Sequence, residues 1–145
     1  MEIRTVGFRQ EHFSLYRTYQ SVRHPGDSMD SPDPEKYQHF LPESGVDTFM
    51  IELRIGRRLL SVSVLDHVAN GLSAVYTFYD PAESYRSPGI LTILRQIELA
   101  RSVDYENLYL GYWIEDCPKM SYKTRFAPVE AFDPAAQTWS PSQSR

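Results

Sequence analysis

Cysteine is almost missing from this chain: Cys117 is the only one in 145 residues. That excludes an internal disulfide and any zinc site built on several thiolates. Long apolar runs are missing too, none approaching the ~18–20 residues a membrane span requires. The opening MEIRTVGFRQEHF has no apolar core and carries acidic residues, unlike a secretory leader. Basic charge is not in excess either: 15 Lys and Arg stand against 19 Asp and Glu, a net charge of −4. Any nucleic-acid contact must therefore come from a local, salt-sensitive patch. These features read as a cytoplasmic chain with no membrane association. Glycine is sparse, 7 in all, and never falls as GxGxxG after a strand or as GxxxxGK[ST]. A GxSxG elbow is lacking. His12, His24, His39 and His67 form no HExxH pair, so no metal site is expected.

What is present is an ordinary globular composition, 41% hydrophobic and 23% charged. The length suits one domain over residues 1–145 with a real buried core. Aromatic residues are the exception, with 10 Tyr, 7 Phe and 2 Trp. Tyrosine in excess implies a core with polar tips, or a site lined by hydroxyls and ring faces.

Periodicity predicts a first helix over residues 11–23, with Phe13, Tyr16, Tyr19 and Gln20 at helical spacing and Pro25-Gly26 ending it. Residues 26–33 read as a flexible loop rich in Pro, Asp and Ser. A short helix follows from Pro34 to Phe40, with Asp33 as its N-cap. Residues 46–55 and 59–65 alternate as two strands of a hairpin around Gly56-Arg57-Arg58. Asn70-Gly71 then turns into a third strand over 72–79. Three strands on short turns are antiparallel neighbours. Ser87 as N-cap and Pro88 at N1 open the main helix, which runs through Arg101. A fourth long strand is expected over 108–114, parallel to the third because a helix crosses between them. A short helical stretch and a loose polar tail over 134–145 complete the chain. The order is α+β, a mixed sheet flanked by helices, and it resembles the GNAT (acyl-CoA N-acyltransferase-like) architecture. Coenzyme A itself is disfavoured, because the entry YRSPGI holds a single glycine and Pro88 removes an N–H that would hold phosphate.

Two stretches are dense in motif-like residues: SVSVLDHVANGLSAVYTFYDP and NLYLGYWIEDCPKMSYKTRFAPVE. Arg23-His24, Asp66, Ser73-Ala74-Val75-Tyr76, Tyr79-Asp80-Pro81, Tyr109 to Ile114, Cys117, Lys119-Met120 and Tyr122-Lys123 carry the pattern. With them the chain resembles the C-terminal domain of the aminoacyl-tRNA–protein transferases, over Phe13 to Trp139. That family comprises the arginyl-tRNA–protein transferases and the bacterial aspartate/glutamate leucyltransferases. The resemblance implies a GNAT-like fold. It implies transfer of leucine or arginine from aminoacyl-tRNA to the N-terminal α-amine of proteins that begin with Asp or Glu, marking them for N-degron degradation. The wording SAVYTFYDP and Trp113 lean toward the leucyl branch. It implies no cofactor, aminoacyl-tRNA being the co-substrate. The family also carries an N-terminal cysteine-containing domain that is absent from these residues, so a separate N-terminal domain is an expected partner.

Aminolysis of an ester needs a neutral amine, a stabilised oxyanion, a protonated leaving oxygen and recognition of the acceptor's side chain. Asp66, the only charge after the apolar run LLSVSVL, is the candidate catalytic residue that holds and deprotonates the amine. Ser73, Tyr76, Tyr79 and Tyr112 are candidate substrate-binding residues, Tyr112 or Tyr76 stacking on the adenosine end of the tRNA. Strict alternation separates Ser73 and Tyr79 from Tyr76 unless a bulge intervenes. Arg23 and His24 are candidates for the acidic acceptor side chain, which a guanidinium suits. Lys119 and Lys123, with Arg125, are candidates for the tRNA phosphates. His67 points away from Asp66 and forms no dyad with it. Cys117 reads as a packed thiol rather than a nucleophile, since the ester is already activated. Two other readings compete: a non-catalytic or partner-dependent truncated domain that binds acidic N-termini, and a coenzyme A-dependent acyltransferase.

Overall fold

A computed structural model describes residues 1–26, 33–40 and 46–142. The loop expected over 26–33 therefore lies, except for Gly26 and Asp33, outside the described residues, as do residues 143–145. The chain forms two compact units, Met1–Tyr109 and Leu110–Arg145.

The first unit is a five-stranded sheet in the order β1–β2–β3–β4–β5. Its strands are β1 (Glu2–Thr5), β2 (Thr48–Ile55), β3 (Arg58–Val68), β4 (Gly71–Tyr79) and β5 (Asn107–Tyr109). Neighbours are antiparallel from β1 to β4, and β5 runs parallel to β4. The helices are α1 (Gln10–Arg23), α2 (Pro34–Phe40) and α3 (Pro88–Ser102). This is the GNAT-like α+β arrangement expected.

Helices on both faces explain why β3 is buried from Leu59 to Leu65. On one face Phe13 and Tyr16 of α1 and Tyr37 of α2 pack on Met50, Val62, Val64 and Phe78. The rings interlock, with Tyr16 4.9 Å from Tyr37 and 5.5 Å, edge-on, from Phe78. On the other face Ala100 of α3 packs with Phe49, Ile51, Leu65 and Leu72. Apolar residues on successive turns of α1 and α3 thus each find a sheet face.

Several details go beyond or depart from the sequence expectation. β1 goes unforeseen, because four largely exposed residues carry little periodicity. The fourth strand is not long: β5 holds only residues 107–109, and the expected continuation through 114 is irregular. Gly111 adopts φ +75°, a left-handed conformation that breaks extended pairing. Ser87 precedes α3 as expected, yet its side chain makes no capping bond. It also closes the 3₁₀ turn Pro81–Arg86, and that double duty puts its backbone at φ 51°, ψ 55°. The third strand carries a bulge: Val64 pairs with Tyr76 but Leu65 pairs with Ala74, leaving Val75 as the extra residue.

The second unit contains a 3₁₀ turn, Ser121–Arg125, and an antiparallel hairpin of β6 (Glu130–Asp133) and β7 (Thr138–Pro141). Residues 134–141, read from sequence as part of a polar tail, supply the turn and second strand of this hairpin. Phe132 and Trp139 pair across it with ring centroids 5.2 Å apart, the cross-strand contact that makes so short a hairpin worthwhile. Among the described residues no helix is long and apolar enough to cross a membrane.

Candidate functional site

The bulge at Val75 decides which side chains of β4 share a face. Below it, Tyr76 and Phe78 sit with Val64 and Val62 on the α1 side. Above it, Ser73 pairs with Asp66, two residues beyond Val64, and so joins the same face. The alternation that separated Ser73 from Tyr76 is cancelled by one inserted residue. Ser73, Tyr76 and Asp66 therefore face the α1 layer together.

Asp66 lies within β3, which continues to Val68, and is half-buried rather than a solvent-facing turn residue. It forms a row across the sheet, Thr48 to Asp66 to Ser73 to Tyr109. The Thr48 hydroxyl donates to Asp66 Oδ1 at 2.5 Å. One carboxylate oxygen is thereby oriented, leaving the other for a further donor. His67 turns to the opposite face, stacked on Phe49 at 4.6 Å with Nδ1 3.2 Å from the Tyr105 hydroxyl. Adjacent strand residues diverge as expected, and no Asp66–His67 dyad exists.

A second group gathers where the C-terminal turns of α1 meet the far end of β4. Tyr79 packs edge-on against Tyr19 at 4.9 Å, and the Arg23 guanidinium lies 6.0 Å from the Tyr79 ring centre. His24, the residue that ends α1, keeps its ring 5.8 Å from Tyr19 while its backbone N–H donates to the Gln20 carbonyl. Beneath them Gln20 is 1% exposed and donates from Nε2 to the Tyr76 hydroxyl at 3.2 Å. Arg23 is exposed and His24, Tyr76 and Tyr79 are half-buried. The group therefore grades from an exposed cation, through aromatic rings, to a buried amide.

β4 and β5 pair over only three positions, Gly71↔Asn107 to Ser73↔Tyr109. β4 runs six residues past that junction, to Tyr79. Gly71 is what lets the strands meet, since a Cβ there would lie 2.2 Å from the Asn107 carbonyl oxygen.

The remaining candidates fall in the second unit. Tyr112, expected on the fourth strand, lies instead in the irregular segment after Gly111, and it is 91% exposed. It is therefore no core tyrosine. Lys123, on the 3₁₀ turn, donates to the Tyr112 carbonyl, and burial pulls its ammonium below the usual lysine range. Lys119 is exposed and Cys117 half-buried.

A family profile described as "Arginine-tRNA-protein transferase, C terminus" matches residues 11–133. The chain belongs to that family. It is similar to the aspartate/glutamate leucyltransferase of Chromobacterium violaceum, 46% identical over 86% of this chain and 52% of the relative. It is likewise similar to that of Thiobacillus denitrificans, 48% identical over 86% of this chain and 52% of the relative. A third, from Hahella chejuensis, is 45% identical over 90% of this chain and 56% of the relative. The chain thus spans about half the length of these curated relatives.

Every transferase-family candidate from Arg23 to Lys123 lies inside the matched span. The structure gathers Arg23, His24 and Tyr79 around Tyr19, and it sets Tyr76, Asp66 and Ser73 on the α1 face of the sheet, whereas Tyr79 by register, opposite Ser61, belongs to the other face. Sequence reasoning missed Gln20 and Thr48 as partners of these groups. Gln20 had one signal, a polar residue on the helical stripe of Phe13 and Tyr16. Thr48 had none, since its link to Asp66 is made only by strand register.

Proposed function

We propose that this chain is the transferase half of an aminoacyl-tRNA–protein transferase. It moves an aminoacyl group, leucine by preference, to the N-terminal α-amine of proteins that begin with Asp or Glu. The observation that carries the reading is the shared sheet face: a half-buried carboxylate at Asp66, held by the Thr48 hydroxyl, with an exposed cation at Arg23 at the end of the same helix layer. An acidic N-terminal residue presents one amine and one carboxylate, and this face offers one carboxylate and one cation.

In the reaction, Asp66 takes a proton from the acceptor's α-ammonium. The freed amine attacks the ester carbonyl of the charged tRNA, and a C–N bond forms. The C–O bond to the terminal ribose then breaks; of the two protons the ammonium gives up on becoming an amide, one passes to the leaving ribose oxygen and the other to solvent. The ester is already activated, so a covalent enzyme intermediate is unnecessary and no further cofactor is called for. Arg23 and His24 hold the acidic side chain. Tyr112 stacks on the terminal base, and Lys119 and Lys123 meet tRNA phosphates. The names of the relatives support leucine and acidic acceptors, and the family description keeps arginine as the competing donor. Action in the cytoplasm on N-degron substrates belongs to the same reading.

A transfer assay tests it. The chain is incubated with leucyl- or arginyl-tRNA and peptides beginning Asp, Glu or Ala, and peptide mass is read. A leucine mass gain on Asp and Glu peptides but not Ala is expected. No gain on any peptide from the folded chain overturns the reading that this half suffices. The half-length match to relatives favours a second reading, a partner-dependent domain that binds acidic N-termini. It predicts peptide binding without transfer until the remaining half is supplied.

A further inference from the structure

Gln20 carries an unmet hydrogen-bonding demand in the group just described. Its Nε2 is satisfied by the Tyr76 hydroxyl. Its Oε1 is buried and has no hydrogen-bond partner among the described residues. A buried amide oxygen without a donor loses the water it held in the unfolded chain and gains nothing in return. Such orphans are rare enough in folded proteins that each calls for a cause. A donor would meet the demand, because an amide oxygen can only accept.

Position identifies the donor. Gln20 lies three and four residues before Arg23 and His24, so the three share one face of α1. Its amide reaches Tyr76, which shares its sheet face with Asp66 and Ser73. Gln20 thus stands between the cation proposed to hold the acceptor's carboxylate and the carboxylate proposed to deprotonate its amine. On an acidic N-terminal residue, the donor next to the side-chain carboxylate is the α-amine.

We propose that Gln20 is a specificity residue that receives the acceptor's N-terminal α-amine on Oε1, with Tyr76 holding the amide in place. The assignment rests on the acceptor reading given above. It gives the site a way to require a free N-terminus as well as an acidic side chain. An internal Asp or Glu, whose nitrogen is tied into a peptide bond, offers no such amine.

The test compares two peptides that differ only in the amine. One begins with Asp. In the other a succinyl group replaces Asp, which keeps the carboxylate and the chain and removes the α-amine. Binding to the full chain is measured by titration calorimetry. The unaltered protein should prefer the Asp peptide by about tenfold or more, the size of one hydrogen bond to a charged group. Gln20→Met, checked for folding by its melting curve, should cut that preference by about tenfold, leaving only what the contact of the amine with Asp66 provides, and leave succinyl-peptide affinity unchanged. In the unaltered protein, the Gln20 side-chain amide signal in ¹⁵N NMR should shift with the Asp peptide and not with the succinyl peptide. This arm decides the matter even where the variant does not fold. Equal binding of both peptides, an unmoved Gln20 signal, or a folded Gln20→Met that keeps the preference each overturns the assignment while leaving acidic recognition standing. Failure of both peptides to bind instead removes the acceptor reading itself, and this assignment with it.

Discussion

Thr48 and Ser73 flank Asp66 in the sheet, and this placement separates its chemical role from any structural one. Asp66→Asn keeps an oxygen for the Thr48 hydroxyl and nearly the same volume, so stability should change by less than about 1 kcal/mol. Transfer to Glu peptides should fall by roughly 10²- to 10⁴-fold, the usual worth of a positioned general base. Rates and melting curves on the same preparation check both halves. Arg23 is exposed, and its replacement by Ala should cost less than about 0.5 kcal/mol of stability. The KM for Asp and Glu peptides should rise while affinity for charged tRNA holds. A loss of tRNA affinity with intact peptide selectivity would reverse the assignment. Tyr112, at 91% exposure, packs on too little to matter for folding. Tyr112→Ala should weaken tRNA binding by roughly 1–3 kcal/mol, the range for a base stacked on an aromatic ring. Tyr112→Phe should not, because the ring face remains.

Elements meet at positions where one atom too many is felt. The β4–β5 junction depends on Gly71, where an added Cβ would press on the backbone carbonyl of Asn107. Backbone cannot step aside as a side-chain end can. Gly71→Ala should therefore cost about 1–3 kcal/mol, the range for overpacking, measurable by urea unfolding. Hydrogen exchange should rise first at residues 107–109, since three paired positions are all that hold β5. The bulge at Val75 works in the opposite sense, adding a residue rather than excluding an atom. It turns Ser73 to the face of Tyr76, so an element-level irregularity sets the composition of the candidate site.

The whole first unit is tied together at its other end by a buried charge cluster. His12 on α1 donates from Nε2 to Glu52 Oε1 at 2.7 Å, and both residues are almost fully buried. Arg54 bonds Glu52 at 2.9 Å and also reaches Glu11 on α1 at 2.7 Å, while Arg4 of β1 lies 3.4 Å from Glu52. Burial lowers the His12 pKa, more than the Glu52 bond raises it. Burial acts to raise that of Glu52, but the bonds from His12 and Arg54 outweigh it and hold the carboxyl below its usual range. The Arg54 bond likewise lowers Glu11. In each case the unfolded chain takes up its proton at a higher pH than the folded one. Stability from the cluster is therefore complete above the ordinary histidine value of about 6.5 and is lost as pH falls. Loss starts in the histidine range and continues below about 4.5, where unfolded carboxylates protonate. Melting temperature should hold from pH 8 to about pH 6.5 and fall from there to pH 4. A rise between pH 7 and pH 5 would contradict the neutral, buried state of His12.

Local rules alone located α1, α2, α3 and the strands from β2 to β4, because period-3.6 and period-2 patterns, Pro25-Gly26, Asn70-Gly71 and Pro88 are properties of neighbouring residues. The resemblance to the transferase family drew attention to Arg23, His24, Tyr76 and Tyr79, and Asp66 stood out besides as the charge that follows an apolar run. Tertiary structure decided the rest. The extra residue at Val75 depends on how β4 registers against β3, and no local pattern records register. The brevity of β5 follows from the backbone at Gly111 and from the partition of the chain after Tyr109. Gln20 looked like one more position on a helical stripe, and only packing against Tyr76 made its unpaired oxygen visible. Sequence fixes what each residue can donate, accept or bury, whereas which demands are met depends on contacts between residues far apart in the chain.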